Sequence, residues 1–188
     1  MSERNYSSIA KQVIRLEGSA VARLADTLDG DTFDALVALL LKCKAAGGRI
    51  IVTGKGNSGM VARKISYSLC CVDIPAVFLA SGEGVHATTG LIQPGDILIA
   101  VSRGGDSEEV VELMKIARQR SARIVVVTAN PASPMALLSD LMLRVSIDRD
   151  AEAHDYLATS SMLAMIAVFD AVALSIQPSK RLQQLADK

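Results

Sequence analysis

Three stretches of this chain put hydroxyls where a helix would begin, two of them in glycine turns that follow a strand. The first is Gly54-Lys55-Gly56-Asn57-Ser58-Gly59, between the β-branched run Ile50-Ile51-Val52-Thr53 and residues Met60 to Leu69, which have helical spacing. The second, Ser102-Arg103-Gly104-Gly105-Asp106-Ser107, follows the apolar run Ile97 to Val101, and Ser107 stands at a helix N-cap position. The third, Thr159-Ser160-Ser161, opens a long apolar segment. The first N–H groups of a helix have no partner within it, and the aligned peptide dipoles add partial positive charge there. Such a turn suits an anion, most often a phosphate, and Ser or Thr hydroxyls add neutral donors. Each serine alone reads as an ordinary cap. Repetition at Ser58, Ser102/Ser107 and Thr159, with Gly56 and Asn57 in the first turn, reads as a cradle for a phosphate monoester.

The first turn also spells G-x-G-x-x-G, the dinucleotide fingerprint. That reading needs an acid at the end of the next strand to hold a ribose hydroxyl. Here Ala76 to Leu79 runs into Ala80-Ser81-Gly82, and Glu83 comes late, inside a loop. No Gly-Lys-Ser/Thr closes the turn, so the Walker A pattern is missing. A nicotinamide-dependent oxidoreductase is therefore disfavoured.

The elements that must position these turns follow from periodicity. Ile9, Val13, Leu16, Ala20, Leu24 and Leu28 form a helical stripe within residues 2–28. A second helix is expected from Thr32 to Ala46, with Asp31 as N-cap and Gly47-Gly48 ending it. This N-terminal helical hairpin, residues 1–46, has more apolar surface than one sheet face needs and reads as a dimerisation arm, with plain packing as the alternative. Strands are expected at Ile50–Thr53, Ala76–Leu79, Ile97–Val101, Arg123–Thr128 and Leu141–Ile147. A loop fills Ser81 to Gly90, helices follow at Glu108 to Arg120 and from Thr159, and Asn130-Pro131-Ala132-Ser133-Pro134 caps a short one. Strands alternating with helices, without hairpin turns, give an α/β fold: a five-stranded parallel sheet flanked by helices on both faces. Residues 1–188 read as one domain, with 177–188 a loosely held tail.

Composition narrows the function classes. Half the residues are hydrophobic but only 3% aromatic, so the core must be aliphatic, and some apolar surface is expected against another subunit. Lys plus Arg equals Asp plus Glu, 20 against 20, with no basic stripe, which argues against nucleic acid as a partner. Cys43, Cys70 and Cys71 lack metal spacing and read as reduced core residues of a cytoplasmic protein. With only His86 and His154, no multi-histidine metal site can be built. Tyr156 to Ile176 is long enough to span a bilayer, but Asp170, the Thr-Ser-Ser cluster and the lack of flanking basic asymmetry favour a helix buried in its own protein. No signal peptide is indicated at the start.

The chain resembles the SIS (sugar isomerase) domain family, in particular its arabinose-5-phosphate isomerase branch. The resemblance rests on G-K-G-N-S-G at Gly54–Gly59, G-E-x-x-H at Gly82–His86, L-I-Q-P-G-D at Leu91–Asp96, S-x-x-G-x-S at Ser102–Ser107 and H-x-x-x-x-T-S-S at His154–Ser161. It implies a Rossmann-like SIS-type sheet with phosphate contacts from Ser58, Ser102, Ser107 and Thr159. It also implies His154 as base or ring-opening acid, with Glu83 and His86 near the sugar. For His86 the alternative is a loop histidine held by backbone. Aldose–ketose isomerisation moves a proton between neighbouring carbons through an enediol, and histidine titrates near neutrality without perturbation. No redox cofactor or metal is implied. Relatives often carry two CBS modules after this domain, and the chain reads as a stand-alone catalytic version. They typically have lysine where Asn57 stands, serine at Gly104, glutamate at Asp106 and Leu-Ala-Pro where Tyr156-Leu157-Ala158 stands. Arg103 is a candidate to replace the charge lost at Asn57. Family pairing implies a homodimer or homotetramer with sites at subunit interfaces. The competing reading is a phosphosugar sensor that binds without turnover, or an isomerase for a different sugar phosphate.

Overall fold

Runs of Ile, Val, Leu and Ala without polar alternation can only be satisfied with both faces covered. In the computed structural model, β1 (Ile50–Gly54) and β3 (Ile97–Val101) are buried at every residue, and β4 (Arg123–Thr128) at all but its first. The edges are β2 (Ala76–Phe78) and β5 (Leu141–Arg144), both less buried. All neighbours pair in parallel in the order β2-β1-β3-β4-β5. The structure describes residues 5–86, 88–151 and 157–177, and at 84–86 and 88 the backbone only. The expected tail beyond Gln177 lies outside the described residues.

Alternation along each strand divides the core in two. Ile50, Val52, Ile99, Val101, Val127 and Leu143 face one cluster, covered by α1 (Tyr6–Thr27), α2 (Gly30–Ala45), α3 (Gly56–Cys71) and α7 (Ser160–Ile176). Ile51, Leu98, Ala100, Ile124 and Val126 face the other, covered mainly by α5 (Glu108–Gln119), with Met135 of the short α6 (Pro134–Leu137). The N-terminal hairpin is thus part of the core: Leu24, Leu36, Leu40 and Cys43 all belong to the first cluster. The first half of α1 behaves differently, with Tyr6, Ile9 and Ile14 exposed in the single chain.

Asp96, buried, ties the amino ends of β1 and β3 together by accepting the Arg49 N–H at 2.9 Å, its guanidinium at 3.0 Å and the Gln93 N–H at 2.9 Å. Between α3 and α7, the lone charge of the apolar final helix, Asp170, takes Lys64 Nζ at 2.7 Å and the Ser68 hydroxyl at 3.1 Å. No helix among the described residues is long and apolar enough to cross a membrane.

Several local expectations are corrected. Helix α3 starts at Gly56, not near Met60, because Gly56 takes a φ of +55° that turns the chain straight out of β1. Helix α2 starts at Gly30 with Asp29, not Asp31, at the N-cap; the Asp29 carboxylate is engaged by the Thr32 hydroxyl. The expected loop from Ser81 contains α4 (Ser81–His86) and a 3-10 turn, Thr88–Leu91. Strands β2 and β5 end one and three residues before the expected Leu79 and Ile147. Of the cysteines, only Cys43 is buried; Cys70 and Cys71 are exposed at the end of α3. Leu36, fully buried, tests whether the hairpin is integral. Leu36→Ala is expected to lower unfolding stability by about 2–5 kcal/mol in urea titrations, and a loss well under that range would detach the hairpin from the folding unit.

Candidate functional site

The second hydroxyl turn is closed on itself. Ser102, buried at the end of β3, accepts the Gly105 N–H on its hydroxyl at 3.0 Å, and its Oγ lies 3.5 Å from Ser107 Oγ. Ser107 does occupy the N-cap of α5, but its side chain makes no capping bond and faces Ser102 instead. Gly105, at φ +74°, is obligatory: a Cβ there would sit 2.1 Å from Ser133 Oγ and 3.0 Å from Thr128 Oγ1. Its carbonyl accepts the Met135 N–H at 3.1 Å, so the turn is braced from the β4–α6 connection. Gly104 and Asp106 are exposed on its outer side.

The first turn lies beside it, since β1 pairs with β3 with Gly54 opposite Val101. A Cβ on Gly54 would meet Ser58 O at 2.7 Å and Val101 O at 3.0 Å, and one on Gly59 would meet Gly54 O at 2.9 Å. Glycines therefore allow strand end and helix start to touch. Ser58 is half-buried, while Gly56 and Asn57 are exposed. Helices α3 and α5 cover opposite faces of the sheet. Neighbouring strands whose helices leave in opposite directions open a crevice at their carboxyl ends, the usual ligand position in doubly wound sheets. The Lys55–Glu109 ion pair, at 2.9 Å, crosses that crevice. Glu109 Oε2 also lies 3.4 Å from the hydroxyl of Ser81, which opens α4 after β2. The hydrogen bond from Lys55 holds the Glu109 carboxyl below the usual glutamate range.

The third turn is filled by the protein itself. Asp150, with a side chain only 3% exposed, accepts the Thr159 N–H at 3.0 Å, the Ser161 N–H at 2.8 Å and the Ser161 hydroxyl at 3.0 Å. Arg103 Nη1 stands 2.5 Å from Asp150 Oδ2, the oxygen that also takes the Ser161 hydroxyl, and the Thr159 hydroxyl accepts the Ala151 N–H at 3.0 Å. The start of α7 thus already holds an anion, a carboxylate nine residues upstream of Thr159. Burial pushes the Asp150 carboxyl up, but the Ser161 and Thr159 donors and Arg103 outweigh it and hold it below its ordinary value. Arg103, expected to meet substrate, is drawn into this network. Beside it lies a hollow of about 100 Å³ lined by Arg103, Val145, Ile147, Arg149 and Asp150.

The expected proton carriers are only partly placed. Glu83 is exposed in α4, at the same rim of the sheet. His86 ends α4, but its side chain is outside what the structure describes. His154 lies outside the described residues. Sequence reading missed the roles of Asp150, Lys55, Glu109 and Ser81. Lys55 was visible as a cation inside the glycine turn, and Glu109 as an acid in the first turn of α5.

The SIS domain family matches residues 42–175, and the chain belongs to that family. Among its relatives, the arabinose 5-phosphate isomerase KdsD of Francisella tularensis is 28% identical, across 98% of this chain and 56% of the relative. KpsF of Escherichia coli, also an arabinose 5-phosphate isomerase, is 29% identical across 88% of this chain and 51% of the relative. The chain spans about half the length of the curated relatives it matches. A candidate sugar-phosphate isomerase from Listeria monocytogenes superposes with a TM-score of 0.89 at 31% identity, covering 99% of this chain and 98% of that one. An E. coli CFT073 protein in complex with arabinose 5-phosphate has a TM-score of 0.86 at 22% identity, with full coverage of both chains, and shares the fold.

The Asp150 network has a pH signature. The folded carboxyl titrates below the ordinary value of 3.8, so between the two values the unfolded chain binds more protons and stability rises with pH. Its contribution is complete above that ordinary value and is lost as pH falls through the folded one. Asp150→Asn is expected to lower stability at neutral pH by about 1–3 kcal/mol and to flatten the acid limb of the urea-midpoint profile. An unchanged midpoint at neutral pH would refute the network's energetic role.

Proposed function

We propose that this SIS-domain chain is an aldose–ketose isomerase acting on a phosphorylated sugar, with arabinose 5-phosphate and ribulose 5-phosphate as the leading pair. The observation that carries the reading is the Ser102–Ser107 turn, two hydroxyls 3.5 Å apart at a helix start beside the crevice. The names of the relatives support the sugar class, as does the arabinose 5-phosphate bound to the E. coli protein of the same fold. The phosphate sits on Ser102, Ser107 and the first N–H groups of α5, with Ser58, Asn57 and Gly56 on the opposite wall. Thr159 supports the site indirectly, by holding Asp150 and through it Arg103.

With the phosphate fixed there, the carbon chain extends along the rim toward α4. A base removes the C2 proton of the open-chain aldose, and that electron pair forms the C1–C2 double bond as O1 gains a proton. Collapse of this enediol carries the O2 proton away, leaves the ketone at C2 and returns a proton to C1. The oxidation of C2 matches the reduction of C1, so the reaction asks for a proton carrier and no external electron acceptor. His154, Glu83 and His86 are the proposed carriers.

Offering a panel of aldose phosphates in D₂O tests this directly. Deuterium is expected at the former C2 or C1 position of one sugar, and Ser107→Ala is expected to raise KM about tenfold by removing a hydrogen bond to a charged group. Binding without exchange would favour a phosphosugar-binding regulator; absence of binding across the panel would sink the phosphosugar reading.

A further inference from the structure

Two cations stand at the phosphate turns, Arg103 within the Ser102–Ser107 turn and Lys55 in the neighbouring Gly54–Gly59 turn, and their partners differ in kind. Arg103 pairs with Asp150, whose side chain is 3% exposed and fixed by three further donors from Thr159 and Ser161. Separating that pair would leave a buried carboxylate without its countercharge, a strongly unfavourable outcome. Lys55 pairs with Glu109 when both are open to water, their side chains 58% and 44% exposed. Exposed pairs of this kind contribute little and exchange partners readily.

Their positions differ as well. Lys55 caps α3 on one face of the sheet, Glu109 lies in the first turn of α5 on the other, and their 2.9 Å contact bridges the crevice between β1 and β3. The contact stands close to the serine turn in sequence, Glu109 lying two residues beyond Ser107 at the start of α5. The Ser102–Ser107 cradle itself offers neutral donors, so a phosphate dianion there has an unmet need for positive charge.

We propose that Lys55, not Arg103, is the cation that meets the ligand, exchanging the Glu109 carboxylate for an anionic or hydroxyl oxygen of the phosphosugar. This rests on the phosphosugar reading and specifies its charge contact. The released Glu109 stays beside the Ser81 hydroxyl, where it accepts from sugar hydroxyls. Glu109 therefore has two effects on affinity: it competes for Lys55 in the empty site, and its charge repels the phosphate. Arg103 acts as a positioning residue, joining the phosphate turn to the start of α7.

Calorimetric titration of the full chain with arabinose 5-phosphate, at low and at physiological salt, separates the alternatives. Lys55→Met is expected to weaken binding about tenfold and to remove most of its salt dependence. Glu109→Gln is expected to tighten binding several-fold at low salt. Both positions are exposed, so both variants should keep the wild-type melting temperature and helix signal. If wild type binds and Lys55→Met binds equally well with the same salt dependence, the inference fails while the isomerase reading stands. If wild type binds neither arabinose 5-phosphate nor any other aldose phosphate of the panel, both fall together.

Discussion

The reversal of winding between β1 and β3 is the constraint from which the rest of the site follows. Both strands are buried on both faces and pair along their full length. Their helices must nevertheless leave on opposite sides, because α3 completes one apolar layer and α5 the other. Between those departures the carboxyl ends of the two strands are bridged by the Lys55–Glu109 pair, and the backbone there is obliged to turn sharply. The glycines at 54, 59 and 105 are the local answer, each standing where a Cβ would meet an atom closer than 3 Å. Hydroxyls and charges collect at the opening, since the strands beneath it are almost wholly apolar.

The strands were legible in the sequence because their signal is local. Ile97–Val101 and Arg123–Thr128 are runs too apolar to face water on either side, and both strands carry those bounds in the structure. Helix beginnings were less legible. Glycine is a poor helix former, so Gly56 and Gly59 read as turn, yet α3 incorporates both because its first turn packs against Gly54. The glycine-rich stretch after Ser81 likewise reads as loop, while packing against α5 makes it helical. Adjacent Cys70 and Cys71 look like core residues by type but fall at the exposed end of α3.

The site divides along the same line. Ser102 and Ser107 are five residues apart, close enough that their spacing alone announces a shared turn. Lys55 and Glu109 are 54 residues apart, and only the pairing of β1 with β3 brings them together. Asp150 was harder still. An acid nine residues before a Thr-Ser-Ser cluster carries no pattern of its own, and the chain must fold back for it to reach the Thr159 N–H. A helix start rich in hydroxyls is equally hospitable to an external phosphate and to an internal carboxylate, so residue types could not separate the two.

The contact between Lys64, Ser68 and Asp170 has a mechanical meaning. Lying eight residues into α3 and ten into α7, it joins two helices that rise side by side from the same rim. Both charges are more than 40% exposed, so it adds little to stability, but sliding one helix by a single turn, about 5.4 Å, would carry Asp170 out of reach of Lys64 Nζ. The contact marks the register in which the Gly54–Gly59 turn and the Asp150 bracket, at the starts of α3 and α7, stand at one rim of the sheet.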